Sequence, residues 1–422
     1  MTLKDELEQA LQTLKKNEQY RQIPTLAHDG RYVVYQGKRL LNIASNDYLG
    51  LGSDSSLQRA FFEQMDQLAD THYPKMSATS SRLLTGDDTQ LQALELEMQA
   101  WYQTAVCQED VSNSPSSPSS PSSPSNLSRP KSVLVFNSGY HANIGILPAL
   151  TALPIKTLVL ADKLVHASII DGLRLSQNKT VGYRRYRHND YAHLARLIEQ
   201  ADDDIRRIII VTESVFSMDG DRADLQQLVQ IKAQDTRIEL YVDEAHAIGV
   251  LGETGLGLAE ETQTLGQIDY LVGTFGKAFA SVGAYIMCDE IIKRWLVNHM
   301  RSLIFSTALP PINHAWTRFV LAKMPSLTSA RTHLALLSTE LSEAIARKHS
   351  TSAVSSAYTS PIVPYILGDN ARTLTKAQQL QAAGFYALPI RPPTVPANSA
   401  RIRLVMNAKL TYDDCERLIQ QL

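Results

Sequence analysis

The stretch Asp269-Tyr-Leu-Val-Gly-Thr-Phe-Gly-Lys277-Ala-Phe-Ala-Ser-Val-Gly-Ala-Tyr285 reads as two short strands with a lysine between them. Tyr270-Leu-Val opens an apolar run, Gly273 and Gly276 break it at a turn that carries Thr274, and Gly283-Ala-Tyr-Ile-Met287 resumes it. Lys277 is thereby expected on a connection anchored by strands and surrounded by apolar residues. Desolvation disfavours an ammonium, so a lysine placed there can act as a neutral nucleophile toward a carbonyl. A solvated surface lysine is the bland alternative, and the residues around it decide between the two.

Outward from this stretch, short apolar runs alternate with helical segments: Val133–Phe136, Thr157–Leu160, Ile208–Thr212, Glu239–Val242 and Tyr270–Thr274. Nearly continuous hydrophobicity with helices between the runs predicts an α/β fold with a mostly parallel central sheet covered on both faces. Ligands of such sheets gather at the carboxyl ends of the strands. Those ends are polar here. After the first run comes Asn137-Ser-Gly-Tyr-His-Ala-Asn143, where Gly139 and Tyr140 can open a helix whose free amides hold a phosphate. After the second comes Ala161-Asp-Lys-Leu-Val-His166-Ala-Ser168, after the third Glu213-Ser-Val-Phe-Ser-Met-Asp-Gly-Asp221, and after the fourth Asp243-Glu-Ala-His246. A lone histidine is more often structural than functional. A carboxylate directly after an apolar strand calls for a cationic partner, which can be a structural salt bridge or a ligand.

Taken together, the strand-end residues fit one cofactor, pyridoxal phosphate. An aspartate can pair with its protonated ring nitrogen, histidines can stack on the ring or reach its phenolic oxygen, and Thr274 with the Gly139 turn can hold its phosphate. Asp243 and Lys277 lie 34 residues apart, one strand-helix-strand crossover, which brings them to adjacent strand ends.

Size and composition set the frame. The chain has 422 residues, 44% hydrophobic and 20% charged, with a formal net charge of -2. That supports two or more folding units and gives no electrostatic reason to expect a nucleic acid or an anionic membrane as partner. Cys107, Cys288 and Cys415 are far apart and odd in number, which fits neither a disulfide framework nor a metal site. A charged N-terminus without a signal-peptide core favours a cytoplasmic protein. The N-terminal segment, 1–45, reads as an amphipathic helix over 3–20 and a hairpin, Tyr32–Tyr35 with Leu40–Ile43; a large domain is expected over 46–310 and a smaller α+β C-terminal domain over 311–422, opening with a long helix at 312–348. Within the large domain, Ser112 to Asn126 is a Ser-Ser-Pro repeat, expected to be a disordered surface loop.

Val242-Asp243-Glu-Ala-His246, Thr274-Phe-Gly-Lys277, Glu213 to Asp221 and Ser45-Asn-Asp-Tyr-Leu-Gly-Leu51 resemble motifs of the alpha-oxoamine synthases, fold-type I pyridoxal phosphate enzymes. The resemblance runs from Arg21 to about Val405, interrupted by the Ser/Pro insert. It implies that Lys277 carries the cofactor as a Schiff base, that Asp243 pairs with the ring nitrogen and His246 with the phenolic oxygen, and that His166 stacks on the ring and helps in catalysis. It also implies that Gly139, Tyr140 and Thr274 hold the phosphate and that Ser214 bonds near the phenolic side. Asn46 and Arg403 would grip the amino-acid carboxylate, a planar anion suited to a guanidinium. Arg21 and Thr394 match positions along the acyl substrate's path, and Ser306 and Thr307 a segment that reaches the phosphate of a neighbouring subunit, so a homodimer is implied. Ile390 to Pro396 followed by Ala400-Arg-Ile-Arg403 is similar to the branch that condenses L-alanine with a pimeloyl thioester, carried on coenzyme A or on an acyl carrier protein. The chain departs from the family at Glu244 and Ala247, where many relatives have Asp and Gly, and at Lys75 to Ser81. A glycine-using relative with a short acyl thioester, an aminotransferase and an inactive partner subunit are the alternatives.

Overall fold

The computed structural model describes residues 2–68, 73–112, 131–176, 178–348 and 360–422. Of the Ser/Pro repeat, only Ser112 falls among them, as the last residue of the helix Thr89–Ser112. The strands in chain order are β1 (Ala27–Asp29), β2 (Tyr32–Tyr35), β3 (Lys38–Asn42), β4 (Lys131–Phe136), β5 (Thr157–Asp162), β6 (Val181–Tyr186), β7 (Arg207–Glu213), β8 (Ile238–Asp243), β9 (Tyr270–Thr274), β10 (Ala284–Asp289), β11 (Ile362–Gly368), β12 (Phe385–Tyr386), β13 (Pro389–Ile390) and β14 (Ala400–Val405).

Two compact units emerge. The larger comprises 55–216 and 222–331; the other comprises 1–54, 217–221 and 332–422. These bounds differ from the expected 1–45, 46–310 and 311–422: residues 46–54 and 217–221 fall with the N- and C-terminal residues, and 311–331 with the larger unit. The N-terminal hairpin shares a unit with C-terminal residues because β12 pairs in parallel with β3, placing Phe385 beside Leu41. The helix Pro311–Leu321 belongs with the larger unit, where His314 lies 3.3 Å from Asp88 and Arg318 bonds Glu97 through Nε and Nη2.

The larger unit is built on a seven-stranded sheet in the order β4-β10-β9-β8-β7-β5-β6. β5, β6, β7, β8 and β9 pair in parallel, as the apolar runs lead one to expect for all of them but β6. β10 is antiparallel to both of its neighbours, so the sheet is mostly rather than wholly parallel. Ile208, Ile209, Ile210 and Val211 of β7 are completely buried, which is why that strand is apolar on both faces. One continuous core joins strand residues such as Leu134, Val159, Ile209 and Ile286 to Ile146 and Leu147 of the helix Gly139–Leu150 and Leu296 of the helix Glu290–His299. Each such aliphatic side chain withdrawn from water contributes about 2 kcal/mol.

In the other unit, β1, β2, β3 and β12 form one sheet, and β11, β14 and β13 a second, antiparallel one. The helix Leu3–Lys16 is shorter than the 3–20 expected. A capping box between Thr2 and Asp5 starts it, Asn17 ends it, and its leucines, Leu3, Leu7, Leu11 and Leu14, are exposed. The helix expected over 312–348 is three pieces, Pro311–Leu321, a 3-10 turn Met324–Leu327 and Thr328–Lys348. Pro325 lies in the turn; it has no N–H to continue the i to i−4 ladder, so the helix restarts. Among the described residues, no helix is long and apolar enough to cross a membrane.

Candidate active site

β4, β5, β7, β8 and β9 run in one direction, and their carboxyl ends deliver Gly139, His166, Glu213, Asp243 and Thr274 to one cavity of about 230 Å³ in the larger unit. Lys277 lines the same cavity from the 275–283 connection between β9 and β10, as the sequence leads one to expect. That connection is tied at its base. Phe275 N–H and the Thr274 hydroxyl both donate to the Gly283 carbonyl at 2.9 Å, and Gly283 itself has φ +120°, where an added Cβ would press on the Phe136 carbonyl at 3.2 Å.

Lys277 is half-buried, with Nζ 3.0 Å from Nε2 of His246, which is buried. Asp243 ends β8 and is buried, but its oxygens are provided for. Oδ2 accepts from Asn143 Nδ2 at 2.9 Å and Oδ1 from the Ala245 N–H at 2.9 Å. Each carboxylate oxygen keeps a further lone pair that a ligand cation can take.

Asn143 is the hub. Its second Nδ2 hydrogen goes to Ser168 Oγ at 3.0 Å, and its Oδ1 accepts from the Tyr241 hydroxyl at 2.5 Å. Ser168 Oγ in turn lies 2.7 Å from His166 Nδ1, which also accepts the Ser168 backbone N–H at 3.2 Å. Because Nδ1 must accept that backbone donor, the neutral ring carries its proton on Nε2. Solvent reaches His166 through the cavity, yet the surrounding protein desolvates it enough to lower its pKa below the ordinary imidazole value. Asp243 opposes that shift and the Lys277 ammonium adds to it.

The phosphate end is set by the helix Gly139–Leu150. Ser138 caps it by accepting the His141 N–H, leaving the first amides, at Gly139 and Tyr140, at the positive end of a 12-residue helix. The nearest atoms to an added Gly139 Cβ belong to Thr274, at 3.8 Å, so the helix start and Thr274 face one another across open space. The Tyr140 ring is turned aside, its hydroxyl donating to Asp171 at 2.9 Å.

Two carboxyls stand behind these groups. Glu213 pairs in register with Asp243 on the neighbouring strand and is buried. Glu244 is fully buried, accepts the backbone N–H groups of Leu258 and Ala259 at 3.1 and 2.8 Å, and is pushed up to about 7 by burial. Ser214 differs from expectation. Its hydroxyl is buried and turned to the Asp243 carbonyl at 3.3 Å, so it supports the β8 end instead of lining the cavity.

In the other unit, Arg403 on β14 is buried and holds Asn46 through Nη1 at 2.9 Å and the Ser217 carbonyl through Nε at 2.5 Å. The Tyr48 hydroxyl donates to the same Asn46 oxygen at 3.2 Å. Arg21 donates to Thr394 at 2.7 Å, which brings the two expected acyl-path residues together. Ser306 and Thr307 lie in the larger unit, where Thr307 bridges to Ser81.

The residues fit pyridoxal phosphate by their chemistry. One cavity holds an amine, a carboxylate with remaining acceptor capacity, a ring that can stack, and a helix N-terminus for a phosphate, besides a buried Glu213 oxygen that has no hydrogen-bond partner among the described residues. Larger hollows exist, one of about 740 Å³ beside Arg207, Glu239 and Tyr270. Those polar groups satisfy one another, so volume does not mark the site. Asn143, Ser168 and Glu213 had no role assigned from sequence, although each stands inside a strand-end stretch quoted above.

Comparison with known proteins agrees with this geometry. The family described as "Aminotransferase class I and II" matches residues 38–422. The chain is 50% identical over 410 residues to a protein of Haemophilus influenzae named "Putative 8-amino-7-oxononanoate synthase", covering 97% of this chain and 98% of that one. A protein of the same name from Pasteurella multocida is 50% identical over 414 residues, covering 98% and 97%. Among solved structures, a serine palmitoyltransferase from S. paucimobilis superposes with a TM-score of 0.80 over 99% of this chain and 96% of that one, at 24% identity, a likeness of fold. The 8-amino-7-oxononanoate synthase of Francisella tularensis gives 0.65 over 90% and 96%, at 25% identity.

Proposed function

Because this chain belongs to the aminotransferase class I and II family and is a pyridoxal phosphate enzyme of the alpha-oxoamine synthase kind, we propose that it makes 8-amino-7-oxononanoate. L-alanine and a pimeloyl thioester, on coenzyme A or an acyl carrier protein, would be joined with release of carbon dioxide and the free thiol carrier. The observation that carries the choice of reaction is the end-to-end match, at half identity, with relatives of that name.

Bound pyridoxal phosphate supplies an electron sink for the carbon that loses its proton. Asp243 would hold the ring's protonated nitrogen, and Asn143 and the Ala245 N–H fix its two oxygens in place. Lys277 anchors the cofactor, takes the α-proton of alanine at Nζ and returns a proton to the product; His246, 3.0 Å away, orients that amine and serves the phenolic oxygen. His166, with its proton on Nε2, stacks on the ring and is the group that can polarise the thioester or keto oxygen. Gly139, Tyr140 and Thr274 hold the phosphate. Arg403 with Asn46 takes the alanine carboxylate, and Arg21 with Thr394 lines the acyl path. The functional protein is a homodimer in which Ser306 and Thr307 reach the partner's phosphate.

The test is product analysis. Purified protein loaded with pyridoxal phosphate is given L-alanine with pimeloyl-CoA or pimeloyl-acyl carrier protein, and the product is identified by mass spectrometry. The expected product is 8-amino-7-oxononanoate. A clear preference for glycine with acetyl-CoA, or for alanine with a keto acid and no thioester, overturns the proposal.

A further inference from the structure

Glu213 is the cavity carboxyl that the scheme above leaves unused. It closes β7, lines the cavity and is buried, 3% exposed. The strand register sets it beside Asp243, and two carboxylates at neighbouring buried strand ends cannot both ionise cheaply. The two carboxyls differ in their donors. Asp243 receives an N–H on each oxygen, from Asn143 and from Ala245. Oε1 of Glu213 has no hydrogen-bond partner among the described residues. Burial and the Asp243 charge both hold the Glu213 carboxyl well above the usual range, with Lys277 opposing.

A buried polar atom without a partner is costly, and an atom of that kind in the wall of a binding cavity points to a ligand group that satisfies it. We propose that Glu213 is a further cofactor-positioning residue: as a carboxylic acid it gives bound pyridoxal phosphate a hydrogen bond. The inference rests on the reading that this cavity binds pyridoxal phosphate.

The test compares wild-type protein with Glu213→Gln and Glu213→Met, each stripped of cofactor and titrated with pyridoxal phosphate. The readouts are the dissociation constant by equilibrium dialysis and the pH titration of the bound visible band. Glutamine keeps shape, neutrality and hydrogen bonding, so its affinity stays within about threefold of wild type; methionine loses the hydrogen bond and binds about tenfold more weakly. Methionine binding as tightly as wild type overturns the proposal, as does glutamine behaving like methionine, which would make the ionised carboxylate the active form. Should the methionine variant not fold, wild type and Glu213→Gln decide between them. Asp243, Lys277, His166 and Asp162 face Glu213 in both proteins, so an alkaline loss of affinity present in wild type and absent in Glu213→Gln supports the proposal, and identical profiles overturn it. A wild type that binds no pyridoxal phosphate would instead overturn the reading of the site itself.

Discussion

Lys277 Nζ and His246 Nε2 stand 3.0 Å apart, joining the connection after β9 to the turn after β8. The contact ties the amine to that turn and fixes where it sits. Replacing Lys277 by Ala is expected to lower turnover by roughly 10² to 10⁴ and to abolish the visible band of the loaded protein. His246→Asn should keep the band and slow turnover to a smaller degree. Absorbance spectra and steady-state rates of the two variants check this, and a Lys277→Ala protein with wild-type turnover would refute it.

The Asn143 amide serves Asp243, Ser168 and Tyr241 at once. Asn143→Leu preserves volume but leaves a buried carboxylate oxygen and a buried hydroxyl unpaired, at a cost of about 1.5 to 3 kcal/mol. A urea midpoint lowered by that amount, with weaker cofactor retention on dialysis, is the expected outcome. Unchanged stability would mean that water replaces the amide.

Glu244 makes stability depend on pH. Its folded pKa of about 7 lies above the ordinary 4.5, so between those values the folded chain holds a proton that the unfolded chain has released. The stabilisation is complete below about pH 4.5 and is lost as the pH rises through about 7, a fall of roughly 3 kcal/mol at most. Glu244→Gln, neutral at every pH, should flatten this slope. Melting temperatures of the two proteins from about pH 4.5 to about pH 8 provide the comparison, and parallel curves would dismiss the assignment.

Arg403 offers a fork, not merely a charge. In Arg403→Lys the contacts to Asn46 and Ser217 cannot both survive. The KM for L-alanine should rise about 10- to 100-fold, with kcat changing less, if the lost contacts served ground-state binding of the carboxylate. Asn46→Ala should move KM in the same direction by a smaller factor. A collapse of kcat at unchanged KM would assign the arginine another task.

What could be read from sequence follows from how a sheet covered on both faces is made. Strands such as β7 and β8 are apolar throughout, so the first polar residues, Glu213 and Asp243, mark their ends and with them the cavity. The resemblance added roles to Lys277, His246 and His166 that strand ends alone do not assign. Other features were hidden for physical reasons. The partners of Asn143, Ser168, Tyr241 and Asp243, are 25, 98 and 100 residues away, so nothing local to it reveals the hub. The isolation of Glu213 Oε1 exists only in three dimensions. β6 escaped notice because Gly182, Tyr183, Arg184 and Arg185 are exposed on the sheet's edge and give no apolar run. The antiparallel course of β10 is likewise a matter of pairing, since an apolar strand reads the same in either direction.

The Ser/Pro-rich segment leaves the described fold at the end of the helix Thr89–Ser112 and rejoins it at Lys131, the amino end of β4. The cavity opens past the other end of that strand, beyond Phe136, roughly 17 Å away for six residues at the usual rise. A tag or tether joined at Lys131 therefore begins a strand's length from the cofactor's surroundings.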